Sequence, residues 1–236
     1  ALLRRGEILV DEDDSASAVE LFRTAAGLFA ARADDFERQG ERASHADALA
    51  SAIYARQWLF QGLLEGIKKD FEAYQDSIPE IETLIMRPRE RIDYLRVVAA
   101  GYDRAGQIDA ALDTYFQLVK LSATENPLLS MDRTHSVRLR HWVRRRLDAL
   151  QDRFSASHSE RFDQQVLALQ REVLGSAGIE YLQSFNFYFG AHPTSAAVKQ
   201  EMVGRLTAAG ERLERIALLE QLANTSDPAR QRAAAA

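Results

Sequence analysis

The stretch richest in groups that could do chemistry is HSVRLRHWVRRRLDAL, residues 135–150. Wound as a helix, it gathers Arg138, His141, Arg144 and Arg145 on one broad face and sets Leu139, Trp142, Val143, Leu147 and Leu150 on the other. Clustered guanidinium groups can hold phosphates or carboxylates, since each presents a planar fork of donors. The plainer expectation is a solvated face that pairs with Asp148, Asp152 and acids of neighbouring helices. Binding of an anionic partner is the alternative. A nucleic-acid-binding helical domain using the basic helix 136–150 belongs to the same alternative but ranks behind other anions, because no exposed aromatics are interleaved with the basic residues and the chain's net charge is −5.

Other candidates are weaker. The run Asp11, Glu12, Asp13, Asp14 has the charge of a calcium loop but lacks the central glycine and closing glutamate, so a helix-capping turn is expected. In YLQSFNFYFGAHP, Tyr181, Phe185 and Tyr188 form one stripe and Leu182 and Phe189 another. Helix packing explains that pattern, and a groove for a partner peptide is the second reading. The five histidines, His45, His135, His141, His158 and His192, show no zinc spacing and no serine or carboxylate motif beside them. No glycine loop for phosphate is present, and without cysteine there are neither disulfides nor thiolate metal sites. The expectation is a non-enzyme without metal or cofactor.

The elements that would position these residues are helical. Glycine and proline are sparse, and apolar residues recur at three and four. The periodicity predicts helices at 1–10, 15–31, 44–75, 78–86, 88–105, 107–122, 136–153, 159–174, 176–189, 194–209 and 211–224, with no strand. Asp14 or Ser15 caps the second helix, Pro79 and Pro88 open helices, Gly190 stops one, and Pro193 opens the next. In 44–75, Leu49, Ile53, Phe60, Leu63, Ile67, Phe71 and Tyr74 share a face, Trp58 and Leu59 lie off it, and Gly62 and Gly66 are candidate bends. The longest uncharged stretch, Tyr181 to Val198, contains Gln183, Asn186, His192 and Pro193 and is no membrane span.

Small and large residues alternate in AAGYDRAGQIDAALDTYFQL, residues 99–118. Ala99 and Ala111 suit a close helix–helix contact, Tyr102 and Tyr115 the spaces beside it, and Gly106 the turn. This spacing resembles the tetratricopeptide repeat (TPR), a 34-residue helix–turn–helix unit. Counting from Ile92, Leu95, Val98, Ala99, Tyr102, Gly106, Ala111, Tyr115 and Leu118 fall on its signature positions, with Leu95 replacing its tryptophan and Ala123 its proline. A second match places Gly6, Leu9, Ala18, Phe22 and Ala25, in a unit that would start before Ala1 and so implies a longer parent chain. A third places Leu206, Gly210, Leu219 and Leu222, with Arg215 where a small residue is expected.

The resemblance implies an all-α, right-handed α-solenoid of antiparallel helix pairs. It would be one repeat domain over 1–236, with pairs near 1–31, 92–125 and 196–226 and irregular helical sections at 33–90 and 130–190. It further implies a scaffold that binds protein partners, among them other domains of the same chain, through a groove lined in the middle unit by Asp93, Arg96, Ala100, Asp103 and Arg104. The equivalent positions near the C-terminus, Ala197, Gln200, Gly204, Thr207 and Ala208, are neutral. The stretch from Phe189 to Pro228 also resembles the helical segment of bacterial envelope proteins that pair such repeats with a quinoprotein-type β-propeller. That likeness tips the expected compartment toward the bacterial periplasm or envelope over the cytoplasm.

Overall fold

In the computed structural model, residues 2–11, 14–130, 134–211 and 215–219 are described. The chain divides into two compact units, Ala1–Thr114 and Tyr115–Ala236. The fold is all-α, as the periodicity predicts, with a single small hairpin of strands among the described residues.

The first unit holds α1 (Leu2–Asp11), α2 (Ser15–Gln39), α3 (Arg42–Lys69), α4 (Phe71–Tyr74), α5 (Ile78–Leu84) and α6 (Pro88–Arg104). The next helix, α7 (Ile108–Leu121), begins in this unit and ends in the second. Gly40 takes the left-handed conformation, φ 73°, and turns α2 back into α3. The pair is antiparallel: His45 Nδ1 meets the Ala33 carbonyl at 2.9 Å near the turn, and further along Phe22 stacks on Trp58 at 5.5 Å. Ala18, Ala25 and Ala33 of α2 and Ala48, Ala52 and Ala55 of α3 are all buried. Six small side chains let two long helices lie close, so the small-residue logic read at Ala99 and Ala111 governs this hairpin as well. Ala99 and Ala111 are themselves fully buried, and Gly106, φ 71°, makes the turn between α6 and α7.

Several boundaries differ from expectation. The second helix runs on to Gln39, inside a stretch expected to be irregular. The long helix stops at Lys69 instead of continuing to residue 75. Asp70 is extended there and its carboxylate accepts the Ala73 amide at 3.1 Å, so a capping side chain starts a new short helix. Gly62 and Gly66 do not interrupt α3. They are buried contact points, where an added Cβ would lie 3.1 Å from Val19 and 2.5 Å from the Tyr74 ring. Leu49, placed on the buried face by sequence, is 45% exposed. Pro79 and Pro88 open α5 and α6 as expected. A two-pronged ion pair, Arg23 to Glu80 at 2.8 and 2.7 Å, ties α5 to α2.

The second unit contains β1 (Leu128–Ser130), β2 (Ser136–Arg138), α8 (Leu139–Gln151), α9 (Ala156–Gly175), α10 (Ile179–Phe189) and α11 (Ser195–Ala209). The antiparallel pair β1–β2 corrects the expectation of no strand in the chain: Leu129 faces Val137, and Ser130 faces Ser136. Three residues per strand is too short for an alternating pattern to stand out in sequence. Arg138 therefore ends a strand, and α8 starts at Leu139, three residues later than the expected 136. Asn126 fixes this corner. Its side-chain oxygen accepts the Arg140 amide at 3.1 Å, and its carbonyl accepts from Arg138 at 3.2 Å.

The core of this unit is aromatic. Phe189 meets Phe116 at 5.5 Å, Phe162 at 5.9 Å and Phe185 at 5.3 Å, while Tyr115 meets Trp142 at 6.1 Å. Gly210, φ 78°, ends α11. Of the third repeat match, Leu206 is buried, Leu219 is 45% exposed with Leu218 buried in its stead, and Leu222 lies outside the described residues.

Candidate protein-binding surfaces

The residues expected to bind a partner fall in both units. In the first, α6 carries Asp93, Arg96, Asp103 and Arg104. Arg96 pairs with Asp93 at 3.3 Å. Arg104 reaches across to the end of α3, where its guanidinium donates to the Lys68 carbonyl at 2.9 Å and the Ile67 carbonyl at 3.3 Å. The last carbonyls of a helix have no partner within it, so Arg104 serves as the cap of α3. Asp103 is half-buried.

The residues expected to pack the repeats in this unit are placed as follows. Ala18 and Phe22 are fully buried, and an added Cβ on Gly6 would lie 2.6 Å from the Phe22 ring. Tyr102 is half-buried, lies edge-on to Phe71 at 5.1 Å, and has its phenol pKa raised by burial. The glycine that matters most there, Gly101, went unread in sequence: an added Cβ would sit 2.0 Å from the Phe71 ring. Tyr115, expected to fill a space beside the Ala99–Ala111 contact, is fully buried and belongs to the second unit.

On α8 the basic residues divide. Arg138 is engaged with Asn126. Arg144 donates to the Phe187 carbonyl, lies 3.8 Å from Asp148, and sits over the Phe187 ring at 5.8 Å. Arg140 covers the same ring at 5.0 Å, and His141 meets it edge-on at 5.0 Å. The face read as an anion site is thus largely a sleeve around Phe187, held by cation–π contacts. Arg145 is exposed and has no partner among the described residues.

The aromatic stripe of α10 does line a groove. Tyr181 and Phe185 face Leu169 and Val173 of α9, with Val119 and Ala123 closing the floor, in a space of about 280 Å³. Lys120 and Glu172 pair across the rim at 2.5 Å. Tyr188, the third member of the stripe, turns inward; burial pushes its phenol pKa upward, and its hydroxyl meets Ser122 at 2.8 Å.

Two polar groups take roles that the sequence did not assign to them. Lys199 is only 4% exposed, and its ammonium donates to the Gly190 carbonyl at 2.7 Å; burial lowers its pKa. It caps the end of α10 as Arg104 caps α3. His192 stands between Asp163, at 3.1 Å from Nε2, and the Thr194 hydroxyl, at 2.9 Å from Nδ1. The Thr194 amide also points at Nδ1, at 3.3 Å. Both Thr194 contacts help hold the turn into α11. Of the acidic run, Asp14 caps α2 by accepting the Ser17 amide, which lowers its pKa, and Glu12 and Asp13 lie outside the described residues.

Neither a known family model nor a curated protein matches the chain. Among solved structures it is similar to one described as a kinesin light chain of Podosopora anserina with nearly identical TPR-like repeats. The identity is 17%, the match covers 96% of this chain and 95% of that one, and the TM-score is 0.27. No helix among the described residues is long and apolar enough to cross a membrane.

Proposed function

We propose that this protein is a non-catalytic scaffold whose stacked helix pairs present grooves to protein partners, in the manner of a divergent TPR-like solenoid. The observation that carries the reading is the groove between α9 and α10. An apolar floor with Tyr181 and Phe185 as walls, and an ion pair on the rim, has the anatomy of a site that takes an apolar anchor from a partner. The resemblance of the C-terminal stretch to propeller-bearing envelope proteins puts the proposed work in a bacterial envelope complex.

A photo-crosslinking residue at Ala123 tests the groove. It is expected to capture a protein in the source cell, and capture is expected to stop in a Val173→Glu variant that remains helical. The competing reading, an anion or nucleic-acid site on α8, keeps one observation in its favour: Arg145 is exposed and has no partner among the described residues. A steep salt dependence of binding to random DNA or RNA, lost when Arg144 and Arg145 are replaced, would favour that reading and displace the groove.

A further inference from the structure

The cleft in the first unit between α3 and the start of α6 offers a second kind of recognition. On α3 the stretch YARQWLFQ places Tyr54, Gln57, Trp58 and Gln61 on one stripe at intervals of three and four. Arg87 and Glu90 form the facing wall, around a space of about 350 Å³.

The two rings make a ledge. Trp58 rests one face on Phe22, and Tyr54 stands nearly perpendicular to it at 6.2 Å and 77°. Tyr54 is fixed at its tip by a 3.1 Å hydrogen bond to Glu7 and remains 45% exposed. The amides of Gln57 and Gln61 and the indole N–H of Trp58 make no hydrogen bond among the described residues. Opposite them, the Glu90 carboxylate is taken up by the Met86 amide at 2.8 Å and the Arg87 amide at 3.0 Å. Arg87 lies 4.0 Å from that carboxylate and keeps 66% of its side chain exposed.

We infer that this cleft binds an extended, proline-containing peptide segment that carries an acidic residue beside its prolines. A polyproline II strand has no internal hydrogen bonds, so its carbonyls need donors, and Gln57, Gln61 and Trp58 supply them. Its proline rings pack on paired aromatic faces, and Tyr54 and Trp58 supply those. From Tyr54 to Gln61 the helix rises about 10 Å, close to the roughly 9 Å of one three-residue polyproline turn. Arg87 is the group that meets the acidic residue. An amphipathic helix does not fit, because none of the six lining residues is aliphatic. A saccharide fits less well, since Glu90, the one carboxylate of the lining, is already committed to backbone amides.

The test is a titration of the intact chain followed by its tryptophan indole N–H resonances, with the Trp58 signal assigned through a Trp142→Phe variant. The probes are an acetylated Pro-Pro-Glu-Pro-Pro-Glu-Pro-Pro peptide, its counterpart with glycine for every proline, and maltohexaose. The proline peptide is expected to shift the Trp58 resonance saturably, with Kd on the order of 100 μM. Gln57→Ala combined with Gln61→Ala should weaken binding about tenfold. Arg87→Ala should weaken it for this peptide but not for one with glutamine in place of glutamate. Overturning results are equal response to the glycine counterpart, no response to the proline peptide at millimolar concentration, response to maltohexaose alone, or indifference to the glutamine replacements. The cleft belongs to the first unit and the α9–α10 groove to the second, so either proposal can fail without the other.

Discussion

The two units close their cores by opposite devices. In the first, glycine and alanine make room and a single large ring fills it: Gly6 under Phe22, Gly66 under Tyr74, Gly101 under Phe71. In the second, rings fill against rings, and its mid-chain helical glycine, Gly204, and the one ending α9, Gly175, have nothing within 4 Å of an added Cβ. A ring over glycine is intolerant of any added atom, whereas a ring cluster is intolerant of any lost one. The contrast therefore predicts which substitutions each unit will refuse.

The largest effect belongs to the aromatic unit. Phe189 is 5% exposed and touches the rings of Phe116, Phe162, Phe185 and Tyr188. Phe189→Ala removes the hub, and a loss of about 3–5 kcal/mol is expected. Urea denaturation followed by Trp142 fluorescence measures it; a loss below about 1 kcal/mol would show that the rings are neighbours without being a core.

The first unit is broken by addition. Gly101→Ala puts a methyl 2.0 Å from the Phe71 ring and 2.9 Å from its Cγ, so the ring cannot step aside by turning its far end. The expected loss is about 1–3 kcal/mol from overpacking, larger than the propensity gain of Ala over Gly in a helix. Trp58, which lies in that unit, reports it. An unchanged midpoint would mean that α4 shifts freely and the ring-over-glycine contact holds nothing.

This contrast also explains what sequence could and could not convey. The ring-over-glycine and alanine contacts leave a spacing signature, so Gly6, Ala18, Phe22, Ala99 and Ala111 were legible and all are buried. The same logic at Ala33 and Ala48 was missed, because the α2–α3 hairpin has no signature tyrosine or turn pattern of the repeat. Arg104 and Lys199 were unreadable for another reason. Each acts by reaching a carbonyl at the end of a helix distant in sequence or beyond a turn, and no local pattern announces a backbone acceptor. The α8 face was legible as a face, but not its purpose: the ring it wraps, Phe187, is contributed by α10. The hairpin β1–β2 was lost to its length, and the stop at Asp70 to a cap that looks like any acidic helix residue.

A pH series probes burial in the first unit through Tyr94. Burial, with Glu82 nearby, pushes its phenol from 10.0 up to about 12. The unfolded chain would ionise there near pH 10 and the folded chain would not, so between those values the native state holds more protons. The contribution is intact below about pH 10 and is lost as pH rises toward about 12. The denaturation midpoint is expected to fall between about pH 10 and pH 12, and Tyr94→Phe should make that fall shallower. An identical slope in Tyr94→Phe would show that the ring is wetter than its surroundings imply. Tyr188 shifts in the same direction by burial in the second unit, so Tyr188→Phe should flatten what remains.

The smallest effect is the sharpest control. Gly27 of α2 and Gly204 of α11 are exposed, have right-handed helical backbone, and have nothing within 4 Å of an added Cβ. In both, alanine costs no packing and removes unfolded-state freedom, so Gly27→Ala and Gly204→Ala should each stabilise by about 0.5–1 kcal/mol. Gly27 lies in the unit where Gly101→Ala is expected to do harm. The same chemical change, one methyl on a helix, should thus carry opposite signs at two positions of one unit, decided solely by whether a ring lies over the glycine. If Gly27→Ala and Gly101→Ala moved stability in the same direction, backbone propensity would outweigh packing, and the difference drawn between the two units would dissolve.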